Sequence, residues 1–309
     1  MATALRMAPV EPGQDPVALF EAHRARLIRD RMVGNLLIAG GFLALLVWSV
    51  DVSRFTPDRL AAGIPRIFEY FQTILPNLDW AMLFEGRDAA GRFPPGSIGY
   101  WYNDFWKYLG LIGETILMAI TATLVATGLA VGLSLLAARN VTPHHWAGAA
   151  ARRFLEFCRG VPEILFALVF VFAVGIGPLA GVLAIIIHAT GALGKLFAEV
   201  VENASMRPVD GITAVGGNWF QRMRYGIIPQ VLPNFTSYAL WRFEINVRAS
   251  AVVGFVGAGG IGQELNHVIS FYSDDRVTAV LLLVVLTVTV IDLISERARH
   301  ALIGKESLK

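Results

Sequence analysis

The chain is poor in charge and nearly free of cysteine. Of its 309 residues, 16% are Asp, Glu, Lys or Arg, against about 25% in an ordinary soluble domain. A single cysteine, Cys158, excludes an internal disulfide framework and reads as an inert thiol at a helix start. A net charge of +2 gives no electrostatic reason to expect a nucleic-acid partner. A phosphate-gripping loop is also missing. Gly194-Lys195 is followed by Leu196, with Ala189 where the first glycine would stand, and Gly304-Lys305 is followed by Glu306, with Arg299 at that place. His144 and His145 are adjacent, so they cannot share the i, i+4 face of a helical zinc pair. His188 stands alone in an apolar run and reads as a packed, hydrogen-bonded histidine. Glu114, Glu163, His188 and Asp292 lie in separate segments, and no nucleophile–base pair emerges. The expectation is a chain with no catalytic site, no metal and no cofactor of its own.

Long apolar runs are what the chain has in place of charge. Apolar residues make up 55% of it. Met32–Val50, Thr115–Ala138 and Ile164–Gly194 are uncharged over 19, 24 and 31 residues, and Ala249–Gln263 and Val277–Ile291 over 15 each. A bilayer core needs about 20 helical residues, with about 17 sufficient. The 31-residue run would make about 46 Å of helix, too long for one crossing. Gly175-Ile-Gly-Pro178 divides it, since proline cannot continue a helix. The expected fold is all-α, a polytopic membrane bundle with about six spans: 32–50, 109–137, 161–174, 179–194, 235–256 and 277–295.

Six spans put both termini on one side. The segments 1–31, 139–159, 195–235 and 295–309 hold 17 of the Lys and Arg residues, and the short opposite loops 175–178 and 257–275 hold none. The positive-inside rule then places both termini in the cytoplasm. Polar residues precede the first span and no small-residue cleavage site follows Val50, so that span reads as uncleaved. The expected organisation is a tail at 1–31, a first span with an external interfacial segment at 32–108, a five-helix core at 109–300, and a second tail at 301–309. Within 51–107, Leu60, Ile64, Ile67, Phe68, Phe71, Ile74 and Leu75 recur at helical spacing after Pro57. Two readings stay open there: a helix lying in the interface or one packed on the bundle. Tyr100-Trp-Tyr-Asn-Asp-Phe-Trp-Lys-Tyr108 reads as an aromatic belt.

Gly257-Ala-Gly-Gly-Ile-Gly262 fits the dinucleotide pattern G-x-G-x-x-G, but only 47 residues follow and none offers the second strand that a nucleotide fold needs. Gly257, Gly259, Gly260 and Gly262 instead read as a flexible, close-packed external turn. The preceding helix carries an island, Arg242-Phe-Glu-Ile-Asn-Val-Arg248. A charge central in a span costs about 2.5–3.5 kcal/mol on insertion scales, so Arg242, Glu244, Asn246 and Arg248 must face a pore, a partner or one another. Glu244 and Arg248 are four apart and can pair, and Arg242 and Asn246 share a neighbouring face. The Arg242/Asn246 face reads either as part of an oxyanion path, since guanidinium matches phosphate-like geometry, or as an ion cluster that fixes helix depth.

The stretch Glu199–Phe235 is too long for a simple hairpin. Asp210 is followed by glycine at Gly216, six residues on, and then by Ile228-Pro229, whose proline lies 13 residues beyond the glycine. This spacing resembles the cytoplasmic loop of ABC importer permeases, with Asp for the usual Glu, Gly211-Ile212 for two alanines, and Ile228 for leucine. Asp210, Gly211, Gly216, Phe220 and Pro229 are the residues such a loop would use to dock an ATPase. The island, Arg159-Gly-Val-Pro-Glu163, Gly175-Ile-Gly-Pro-Leu-Ala-Gly181, Val256–Gly262 and Asp292-Leu-Ile-Ser-Glu-Arg297 are similar to the phosphonate-import permeases of ABC transporters (PhnE type). That resemblance spans about 109–300. It implies a permease subunit in the plasma membrane that pairs with a second permease copy, identical or a close paralogue. It also implies two cytosolic ATPase subunits holding ATP and magnesium, and an extracytoplasmic binding protein that delivers phosphonate or a related oxyanion such as phosphate or phosphite. The competing classes are an ion-gradient-driven secondary transporter of a small anion, whose inverted repeats are not found, and a membrane-embedded enzyme.

Overall fold

The structure, a computed structural model, describes residues 16–271 and 275–303. The chain divides into two units, Met1–Tyr70 and Phe71–Lys309. In the first unit, helix α1 (Pro16–Val52) is long enough to cross a bilayer from His23 onward. It begins well before the expected span start at residue 32, because helix propensity continues through the basic stretch Arg24–Arg31. Residues 1–15 of the expected tail lie outside the described residues, as do 304–309 of the second tail. A turn leads to α2 (Pro57–Ile74), which opens with proline and Asp58 in its first turn. The helix expected from residue 57 is therefore present, and its Leu60, Ile64, Ile67 and Phe68 are exposed.

The second unit is built on two long helices that run parallel, with Met118 of one facing Gly181 of the other near their starts and Arg139 meeting Glu202 near their ends. α3 (Ile98–Trp101) is a single turn, with the Ser97 hydroxyl accepting the Tyr100 N–H. It leads into α4 (Phe105–Ala137). α4 lies along α7 (Pro178–Glu202) through a seam of alanines, among them Ala122, Ala126, Ala180 and Ala184, all fully buried. Small side chains let the two backbones approach closely, as membrane helices require.

Between them the chain makes a sharp bend. α5 (His145–Gly160) and α6 (Glu163–Val174) meet at 88° across Val161-Pro162. Residues 145–160, expected as a polar connection, are in fact a helix that buries Gly148, Ala151, Leu155 and Cys158. Cys158 sits at the end of that helix, not at a helix start. α7 also corrects the expectation of a short helix ending near 194: it runs eight residues further, to Glu202, with Lys195 and Glu199 paired one turn apart at 3.9 Å.

After α7 come α8 (Arg207–Ala214), the one-turn α9 (Trp219–Gln221) and a π-helical turn, Arg222–Ile227. α10 (Ile228–Gly254), α11 (Gly260–Phe271) and α12 (Asp275–Ile303) complete the chain. The loop expected at 257–275 thus contains a helix of its own.

Among the described residues four helices are long and apolar enough to cross a membrane: His23–Val52 of α1, α4, α7, and Arg276–Ala301 of α12. The bent α5–α6 pair makes a fifth if it counts as one span. The six expected crossings are therefore approximate. α10 has the length, at 27 residues, but its polar island lowers its apolarity below that of a simple span.

Candidate functional site

The stretch around Asp210 folds as a knob with a buried root and an exposed tip. Pro208 in the first turn of α8 suits a helix start. Val209 points inward and joins a buried cluster with Phe197 and Val201 of α7, Met223 and Ile227 of the π turn, and Val231 and Phe235 of α10. Phe197 and Phe235 stack with ring centroids 4.0 Å apart. Gly226 makes room for this packing: a Cβ there would lie 2.9 Å from Val209 Cγ2. Gly216 takes φ +83°, a left-handed value that favours glycine, and ends the helix. Asn218 and Gln221 then cap each other reciprocally. Two further bonds fix the root. Trp219 Nε1 donates to the Val141 carbonyl at 2.7 Å, and the Gln230 side chain bridges both backbone groups of Ser205. Asp210, Gly211 and Gly216 are exposed, and so are Val215 and Phe220, at 84% and 76%. Two large apolar side chains held out on a rigid tip form a surface that a partner groove can cover. Pro229 lies in the first turn of α10.

Three of the four polar residues of the island are buried, and Arg248 is exposed. Arg242, Glu244 and Asn246 are 8%, 5% and 0% exposed. The predicted Glu244–Arg248 pair does not form, because α12 supplies a partner to each. Arg299 Nη1 lies 2.9 Å from Glu244 Oε1, an ion pair by distance whose angles fall short of a hydrogen bond, and Arg248 Nη2 lies 3.3 Å from Asp292 Oδ1. Asn246 Nδ2 donates to Thr123 Oγ1 of α4 at 2.9 Å. Arg242 and Asn246 are four apart, yet neither bonds the other. The Nε of Arg242 and the Oδ1 of Asn246 are buried without a hydrogen-bond partner. Glu163, in the first turn of α6, acts electrostatically on Arg242 and stands 3.6 Å from His188 Nε2. His188 Nδ1 is 3.0 Å from the Val161 carbonyl, so this histidine straddles the α5–α6 bend.

Glu163, His188, Asp292, Arg299 and Thr123 belong to this polar layer but were not among the predicted site residues. One signal pointed to two of them: Asp292 and Arg299 are seven apart, two turns along one face of α12, and so meet the two charges four apart on α10.

At the opposite end, the turn expected over Gly257–Gly262 comprises only Gly257–Gly259. Gly260 and Gly262 begin α11, because side chains of α4 cap that helix. Glu114 Oε1 accepts the Gly260 N–H and Thr115 Oγ1 accepts the Ile261 N–H, both at 2.9 Å. A carboxylate at a helix N-terminus satisfies free donors and opposes the helix dipole. The turn is locked to α7 as well, with Gly177 N–H donating to the Gly257 carbonyl at 3.0 Å.

Known proteins are similar to this chain in sequence and in fold. The family of binding-protein-dependent transport system inner membrane components matches residues 130–303. The putative phosphite transport system permease protein HtxC of Stutzerimonas stutzeri is 37% identical over 94% of this chain and 93% of its own length. The phosphite transport system permease protein PtxC of the same organism is 35% identical over 91% and 95%. The phosphate-import permease protein PhnE of Mycolicibacterium smegmatis is 34% identical over 83% of this chain, but that match spans only 43% of the relative. Among solved structures, an inward-facing MetNI methionine ABC transporter chain superposes with a TM-score of 0.55 at 20% identity, over 65% of this chain and 98% of that one. With a matched model over more than half its length, and relatives aligned nearly end to end, the chain belongs to the family of binding-protein-dependent transport system inner membrane components.

Proposed function

We propose that the chain is the membrane permease of an ATP-driven importer for phosphonate or a related oxyanion, phosphite foremost. The observation that carries this reading is the nearly full-length alignment with two permeases whose names state phosphite transport. The α8 knob supplies a mechanism. A helix held at its root by Val209, with Val215 and Phe220 presented at its tip, can receive the push of a separate ATPase and pass it to α7 and α10. In this reading Asp210, Gly211, Gly216, Phe220 and Pro229 form that docking loop, and α8 and both termini lie on the cytoplasmic side. ATP and magnesium reside on two such ATPase subunits. A binding protein delivers the solute to the far side, where Gly257–Gly262 lie. The permease works as a pair, and the relative in which this chain's match fills 43% has the length for two such cores. Arg242 and Asn246, buried with orphan polar atoms, sit in the oxyanion path, while Glu244 and Arg248 set its walls through α12.

Reconstitution tests this. Proteoliposomes holding the chain, its ATPase and its binding protein take up phosphite or methylphosphonate only with ATP. Arg242→Ala lowers uptake at least tenfold at unchanged membrane abundance. Uptake driven by an ion gradient without the ATPase would overturn the reading, and equal loss of uptake and abundance would reassign Arg242 to packing.

A further inference from the structure

At the end of the second unit away from α8, the chain forms an open pocket of about 700 Å³. Its lining comes from two distant parts of the sequence: the loop before α4, and Arg276 at the start of α12. Small-molecule sites occupy about 300–1,000 Å³, so this one is far larger than a bare anion needs.

Its chemistry is cationic and aromatic. Arg87, Arg92 and Arg276 line it, opposed by Asp88 and Asp104. The two carboxylates do not cancel the three guanidiniums equally. Asp88 Oδ1 accepts the backbone N–H groups of Ala90 and Arg92 at 2.9 and 2.8 Å, and its other oxygen is 4.0 Å from Arg92 Nε. It is mainly the organiser of the loop. Arg87 makes no ion pair among the described residues. Its guanidinium lies over the Phe93 ring at 5.0 Å, which fixes its direction without satisfying its donors. Arg276 already has a protein partner and adds charge. Tyr100, Trp101 and Tyr108 supply an aromatic wall, and Asn103 a neutral polar group.

We propose that this pocket binds an organic phosphate-class anion. The tetrahedral oxyanion is held by the donors of Arg87 and Arg92, which suit several oxygens at once, and its carbon portion lies against the aromatic wall. A free organophosphonate and the headgroup of an anionic phospholipid share this chemistry. The assignment rests on the pocket alone and is independent of the transport reading.

The test uses the full chain in maltoside micelles, which contain no phosphate, and no ATPase. One arm titrates phenylphosphonate by calorimetry; the other measures retained phosphatidylglycerol by native mass spectrometry. Binding in the first arm identifies a free anion as the occupant, and retention in the second a lipid. In whichever arm responds, Arg87→Gln with Arg92→Gln weakens binding or retention at least tenfold. Asn103→Asp, an exposed single change that adds a repelling charge, weakens it about threefold even if the double variant folds poorly. Wild-type chain that takes neither probe, or variants that bind as wild type does, would overturn the proposal. Failure of ATP-driven uptake would leave these measurements untouched.

Discussion

Two glycine-rich bends, one at each end of the second unit, place their glycines in different surroundings. At the bend before α11 glycine is needed for space, and at Gly257, Gly259 and Gly260 for a left-handed backbone angle as well. A Cβ on Gly262 would sit 1.8 Å from the Ala251 carbonyl oxygen, and one on Gly259 would sit 2.8 Å from the backbone of Pro178. At the tip of the α8 knob there is nothing within 4 Å of a Cβ on Gly211 or Gly216, although one on the adjacent Gly217 would meet Ile212. Gly216 is needed for its backbone angle, and Gly211 for neither reason. The bend before α11 is therefore a packed joint between α10, α11 and α7, whereas the knob tip is open at Gly211 and Gly216.

Substitution with alanine breaks or sharpens this contrast. Gly262→Ala has the largest effect, because backbone atoms cannot yield as side chains do. We expect a loss of about 3 kcal/mol or more, read as a collapse of the thermal unfolding midpoint of the detergent-purified chain. Gly259→Ala combines a clash with a left-handed φ of +82°, for a loss of about 2 kcal/mol. Gly216→Ala pays only for its angle, about 1 kcal/mol. Gly211→Ala, mid-helix and unobstructed, stabilises by about 0.5 kcal/mol. If Gly216→Ala destabilised as much as Gly262→Ala, the knob tip would be packed and the contrast would fail.

The parts of this molecule that could be read from the sequence are those set by neighbours along the chain. Uncharged runs gave α4 and α12, and Gly175–Pro178 gave the break before α7. The interval from Asp210 to Gly216 gave a short helix and a glycine turn, while the next helix, expected from about 235, starts earlier at Ile228. What could not be read depends on distance or on small residues. α5 was missed because the face it buries contains Gly148 and Ala151, which carry little hydrophobic signal, while Arg152, Arg153 and Arg159 look like a loop. α7 was cut short because Lys195 and Glu199 end the apolar run, although the helix itself continues past it. The island's partners were misassigned because Glu244 and Arg248 seemed complete within one helix. Their counter-charges lie on α12, 55 and 44 residues along the chain, and only the fold brings them in.

Val209, Phe197 and Phe235 occupy one buried cluster. Three helices thus share a single point of mechanical contact, and interiors packed at crystal-like density deform little. A displacement of α8 has no soft layer in which to dissipate, so α7 and α10 receive it together, as gears on a common shaft do. The polar side chains they carry two turns further in, His188 and Arg242 among them, are thereby constrained to move in step.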